Sequence, residues 1–176
     1  MSPSDATIVE AGARELRVSS FDRVIFPKTE RSAAVTKLDI VQYYLAVGDG
    51  IMRALERRPT TLERWPKGVH PGIVLSTREK GGGDAFFQKR IPRGAPDYVQ
   101  TARIEFPSGR HADEICPTEV AVVGWAGQMG TITFHPWPVQ DCCFHDSRWT
   151  RQVVRGSSSP REAGEERALR AAPLRP

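Results

Sequence analysis

The chain has 176 residues, enough for one ordinary domain with a real core and too few for two large ones. Hydrophobic residues at 39% and charged residues at 26% sit near the globular average, which excludes wholesale disorder. The net charge is +4 and arginine supplies 20 of the 25 cations, a bias that suits a polyanionic partner and that a GC-rich coding sequence would also leave.

Three cysteines, Cys116, Cys142 and Cys143, two of them adjacent, make no spaced framework of the secreted kind. No stretch approaches the ~20 apolar residues that span a bilayer, and no signal-like apolar segment opens the chain. A reducing cytoplasm is the expected setting.

Residues 1–18 are small and polar and read as a flexible leader whose short apolar patch suits an edge strand. Ser20 to Pro27 is a short strand or turn closed by proline. The first strong helix opens at Thr36, where Asp39 three residues on completes a capping-box pattern. Leu38, Val41, Leu45, Met52 and Leu55 keep helical spacing until Arg57-Arg58-Pro59 stops the run. Thr60 to Trp65 has strand composition, and Pro66-Lys67-Gly68 turns the chain.

Residues 69–84 read as an exposed loop with a brief strand at Ile73 to Leu75. Gly81-Gly82-Gly83 is read as a linker, since no Lys or Ser follows at P-loop spacing. Ala85 to Lys89 is a strand. Gln100 to Phe106 and His111 to Ile115 form a hairpin about a Pro107 to Arg110 turn. Pro117 marks a helix start, Val120 to Met129 is apolar nearly all round, and Gly130 ends it. Thr131 to Trp137 runs as a core strand. The mixed order of elements predicts an α+β domain.

From residue 140 the texture changes. Residues 141–176 hold seven Arg, no Lys, no Ile and four aliphatic residues, so they supply little core. A disordered tail has this composition, and so does a GC-rich gene read out of frame. Cys142-Cys143-Phe144-His145 is not read as a zinc site, because vicinal cysteines do not span a tetrahedron as Cys-x-x-Cys does.

Four ordered stretches carry a resemblance. They are Asp22-Arg23-Val24-Ile25-Phe26-Pro27, Arg58 through Gly68, Phe86-Phe87-Gln88-Lys89 with Gly94-Ala95-Pro96, and His135-Pro136-Trp137, with Thr36-Lys37-Leu38-Asp39 opening the helix. Over residues 19–139 the chain resembles the N-terminal half of the polymerase domain of bacterial ATP-dependent DNA ligase D. The resemblance implies a partial primase-polymerase fold, a mixed sheet with a long amphipathic helix and a short buried one. It also implies template-directed nucleotide addition at DNA ends in non-homologous end joining. The implied partners are 5′-phosphorylated DNA ends, nucleoside triphosphate, a DNA ligase and an end-binding protein, with no membrane.

By the same resemblance, Arg23 and Lys37 line the pocket for a recessed 5′-phosphate; arginine stands at the first position where the family usually has lysine, and keeps the charge. Lys37 at a helix N-terminus would add the dipole and exposed N–H groups to that pocket. Phe87 corresponds to the aromatic that meets the template, and Lys89, two residues on and on the same face, is placed for a neighbouring phosphate. His135 corresponds to a residue touching the nucleotide triphosphate, with a buried structural histidine as the rival reading. Arg64 resembles a nucleotide-site arginine, and pairing with Glu63 or another neighbour is equally natural.

The implied cofactor is a divalent metal, Mn2+ or Mg2+, held in the family by an Asp-x-Asp pair shortly after the His-Pro-Trp segment and a third Asp farther on. This sequence has no Asp-x-Asp; Asp141 and Asp146 stand in the region at the wrong spacing. The chain alone is therefore expected to bind no metal pair and to lack polymerase activity. A non-catalytic module that binds 5′-phosphorylated ends is the alternative.

Overall fold

A computed structural model of the chain describes residues 5–76, 81–106 and 108–140. The sequence expectations for residues 141–176, including Asp141, Asp146 and Cys142-Cys143, lie outside them.

The first two strands depart from the expectation of a leader. β1 (Ala6–Ala11) and β2 (Arg14–Ser19) form an antiparallel hairpin, closed by Gly12-Ala13 with Gly12 at φ +68°, the positive angle that primed hairpin turns demand at their first loop residue. Ala11, Leu16 and Val18 are buried. Only Leu16 and Val18 alternate clearly in this stretch, too short a period-2 signal to stand out before its partner surface is known.

β3 (Val24–Phe26) pairs with β4 (Val35–Thr36), and Thr36 caps α1 (Lys37–Ala46) with both halves of the capping box formed by Asp39. The expected single helix from 36 to 55 is broken. α1 stops at Val47 and α2 (Gly48–Leu55) begins at once. Gly48-Asp49-Gly50 are weak helix formers, and Gly48 is buried with Val120 so near that a Cβ would lie 3.1 Å from it.

The main sheet holds β5 (Thr60–Arg64), β6 (Phe86–Gln88), β7 (Thr101–Glu105), β8 (His111–Ile115) and β9 (Thr131–Pro136), all paired antiparallel. β5 is central: β9 runs along it, and β6 and β8 share its other side. α3 (Val120–Gln128) has residues 121–127 all buried, as its unbroken apolar run requires. It lies among β2, α1 and the sheet, so Leu16, Val18, Val41, Leu62, Ile115, Val122 and Trp125 form one core. Tyr44 ties α1 to β9 by donating to the Ile132 carbonyl at 2.8 Å, and burial pushes its phenol up to about 12, which keeps the donor protonated. The α+β expectation holds.

Candidate nucleic-acid interface

Two places gather the residues singled out above. The first is a corner where β3, β4, the start of α1 and the turn after β5 meet. Lys37 and Arg23 come together there: the Lys37 amide donates to the Arg23 carbonyl at 2.8 Å, and Val24 pairs with Thr36. Lys37 is 7% exposed, and its Nζ donates to the Ser19 carbonyl at 2.6 Å. Arg23 Nη1 donates to the Pro66 carbonyl at 2.9 Å. Among the described residues neither cation forms an ion pair. Burial first, and then the Arg23 charge, hold the Lys37 ammonium below the usual lysine range, with Asp22 partly opposing.

The helix N-terminus does not contribute as expected. The Lys37, Leu38 and Asp39 amides are taken by the Arg23 carbonyl, the Phe21 carbonyl and Thr36 Oγ1. Those donors are closed off because the chain entering α1 runs antiparallel to residues 21–26. Any anion bound here meets side-chain cations rather than free helix amides.

Gly68 closes the corner. Its φ is +88°, and a Cβ would fall 2.8 Å from the Ile25 carbonyl oxygen and 2.9 Å from that of Val24. Val69 N donates to Ile25 O at 2.7 Å, so the turn that presents Pro66 O to Arg23 is docked on β3.

The second place is the open face of the main sheet. Glu63 pairs across with Phe87 and Thr133, and Thr61 with His135, so these side chains share one face. Phe87 is 46% exposed, while Phe86 turns to the other face under the Arg64 guanidinium. The Phe87 and His135 rings meet edge to face, centroids 5.4 Å apart. Glu63 accepts from Trp65 Nε1 and lies 3.1 Å from His135 Nε2, so His135 is an exposed histidine held by its own sheet. Lys89 projects over the Phe106 ring at 4.9 Å.

Arg64 does not join this face. The register shifts between Glu63 and Arg64, and its guanidinium turns to the end of α3, where Nε and Nη2 both donate to the Met129 carbonyl and Nη1 to Gln88. It thus satisfies a terminal helix carbonyl, a favourable place for a cation. Of the two sequence alternatives, a structural partnership is the one observed, with Met129 and Gln88 in place of Glu63.

Sequence reasoning missed Glu114, a buried carboxylate on the same side of the sheet that accepts from Thr61 Oγ1 and Trp137 Nε1. The hairpin pattern alone placed it on a strand and carried no signal of its burial. Among the described residues no three His, Cys, Asp or Glu side chains stand close enough to hold a metal ion. The described donor set does not fit a divalent metal pair, and no helix among the described residues is long and apolar enough to cross a membrane.

Comparison with known proteins joins these observations. The family model of the LigD primase-polymerase domain matches residues 36–151, reaching past residue 139, the expected end of the resemblance. The multifunctional non-homologous end joining protein LigD of Mycolicibacterium smegmatis is 27% identical over 128 residues, 72% of this chain and 15% of the relative. The bifunctional LigD of Bacillus subtilis is 30% identical over 121 residues, 69% and 16%, and the LigD of Pseudomonas aeruginosa 33% over 128 residues, 72% and 13%. The chain therefore spans about a sixth or less of these relatives' length. A solved structure, the polymerase domain of Mycobacterium tuberculosis ligase D in complex with DNA, superposes with a TM-score of 0.54 at 27% identity, covering 68% of this chain and 36% of that one. With two thirds of its length matched by the family model and its fold shared with a solved member, the chain belongs to the LigD primase-polymerase domain family.

Proposed function

We propose that the chain is the N-terminal part of a polymerase domain acting at broken DNA ends in non-homologous end joining, and that its own contribution is to hold the end. Arg23 and Lys37 take the 5′-phosphate. Phe87 stacks on a template base, Lys89 meets a neighbouring phosphate, and His135 donates to the phosphates of an incoming nucleotide. The observation that carries this reading is the corner itself, two adjacent cations, one of them buried, with no carboxylate paired to either among the described residues. Burying a charge is costly unless something of opposite sign completes the site, and a phosphate would do so with charge-assisted hydrogen bonds. Arg64 is left out, because its donors already serve Met129 and Gln88.

Nucleotide addition is a different matter. In-line phosphoryl transfer with two metals needs carboxylates at both the attacking and leaving oxygens, and this sequence has no Asp-x-Asp to offer. The chain alone is proposed to bind ends without extending them.

Fluorescence anisotropy with a recessed duplex carrying either a 5′-phosphate or a 5′-hydroxyl tests the first part. The phosphorylated end should bind about tenfold or more tightly, with the gap narrowing as salt rises; equal affinities would remove the basis for the pocket. Primer extension with manganese tests the second part. Template-dependent incorporation that a His135→Ala change abolishes would overturn the proposed inactivity.

A further inference from the structure

Among the described acidic side chains Glu114 is the buried one, 1% exposed. Its Oε2 accepts from Trp137 Nε1 at 3.1 Å and Thr61 Oγ1 at 3.2 Å, while Oε1 is buried with no hydrogen-bond partner among the described residues. Buried polar atoms are ordinarily paired, and a leucine here would avoid the desolvation cost. Stability alone does not account for a carboxylate at this position.

Strand pairing shows what it connects. Thr60 pairs with Ile115, which sets Glu114 beside Thr61, and Thr61 is the direct partner of His135. Trp137 follows His135 by two residues. One carboxylate thus joins β8, β5 and the end of β9 on the same side of the sheet as Phe87 and His135. Two contacts to the Trp137 backbone, its N–H donating to Pro59 O at 2.8 Å and its carbonyl accepting from the Arg58 side chain Nη1 at 3.3 Å, steer the path of the chain there. Glu114 adds the side-chain hold.

We propose that Glu114 is a positioning residue: by gripping the Trp137 indole and the Thr61 hydroxyl it holds the end of β9 so that His135 stands against Glu63 and Phe87 on the open sheet face. The inference rests on the reading of that face as the nucleotide- and DNA-handling surface. Burial holds the Glu114 carboxyl above the usual glutamate range, partly offset by the bonds from Trp137 and Thr61 and by the charge of Lys89. Lys89, past the end of β6, is the charged group acting on it; Thr61 on β5, Trp137 after β9 and Ala102 opposite on β7 are neutral.

The test uses the full chain with labelled tryptophan, histidine and phenylalanine, read by NMR, the Trp137 indole being assigned with Trp137→Phe. In the unaltered protein the indole N–H should exchange slowly with solvent and its signal should shift with a midpoint above the ordinary glutamate range. Glu114→Gln should keep the slow exchange and the Phe87 to His135 ring contact while abolishing the titration. Glu114→Leu should free the indole and lose the ring contact while still melting cooperatively. Trp137→Phe, which removes the donor instead of the acceptor, should lose the contact in the same way and serves if the leucine variant does not fold.

A raised folded-state pKa means that stability is greatest below the usual glutamate range and falls as pH rises toward the raised value, so Glu114→Gln should melt progressively higher than the unaltered protein across that window. With ATP as the probe, the midpoint for perturbing the His135 signals should weaken about tenfold in Glu114→Leu and stay within about twofold in Glu114→Gln. Survival of both the ring contact and the ATP response in Glu114→Leu and Trp137→Phe would overturn the proposal. If ATP moves no His135 signal in the unaltered protein, the functional reading of the face fails, while the ring contact and indole exchange still decide what Glu114 does.

Discussion

At the Arg23–Lys37 corner one cation is buried, one is exposed, and both are tied to backbone carbonyls, whereas on the sheet face Phe87 and His135 stand in the open and the polar partner of the histidine is another side chain. The corner has Lys37 desolvated in advance and both cations anchored on backbone carbonyls, so anion binding there should need little rearrangement. The sheet face must give something up first: the His135 ring is engaged by Glu63 and by the Phe87 edge, and a ligand competes with both. A preorganised site favours discrimination of one group, and an adaptable aromatic face favours sequence-tolerant stacking. The difference fits the two tasks proposed above, recognising an end and following a template.

The hardest blow to the corner should come from Gly68→Ala. A methyl group there meets two carbonyl oxygens in a left-handed backbone, so about 2–4 kcal/mol of stability should be lost in a denaturant melt. Preference for a 5′-phosphate should decline with it; a destabilised variant that keeps full preference would show the corner to be less rigid than described. Next, Lys37→Met removes a buried charge at little cost in volume. It should cut the 5′-phosphate preference by about 1.5–3 kcal/mol in competition binding while the melting temperature holds or rises. A fall in stability with preference intact would recast Lys37 as a structural tether to Ser19. Last, Phe87→Ala should weaken single-strand overhang binding by about 1–3 kcal/mol with the melt unchanged, since its ring is 46% exposed. A loss confined to phosphorylated ends would erase the division between the two sites.

Much of this was legible before any coordinates. The Thr36–Asp39 capping box, the β7–β8 hairpin and the all-round burial of α3 follow from short-range rules of spacing and capping, and each appears where those rules put it. The same holds for the opposite facing of Phe86 and Phe87, a consequence of the strand period. What escaped depended on distant partners. The β1–β2 hairpin is ordered by α3, more than a hundred residues away in sequence. Arg64 faces away from His135 by the same strand period, but its capture by the Met129 carbonyl depends on α3 arriving from far along the chain, and the saturation of the α1 amides comes from residues 21–23 lying alongside. Glu114 was the least readable of all, since a strand glutamate is ordinarily solvent-exposed and its partners Thr61 and Trp137 are distant in sequence.

The way the corner is closed also decides what the chain between its two cations is free to do. Residues 27–34 are exposed throughout, and they leave and return at a backbone pairing, Val24 with Thr36 and Lys37 N with Arg23 O, that sets the separation of the charges by itself. Their length is therefore not a ruler for the pocket. Since doubling such a loop costs only ~0.6 kcal/mol of closure entropy, this excursion is the natural place to splice in a label or a tether without disturbing the groups that would meet a broken end.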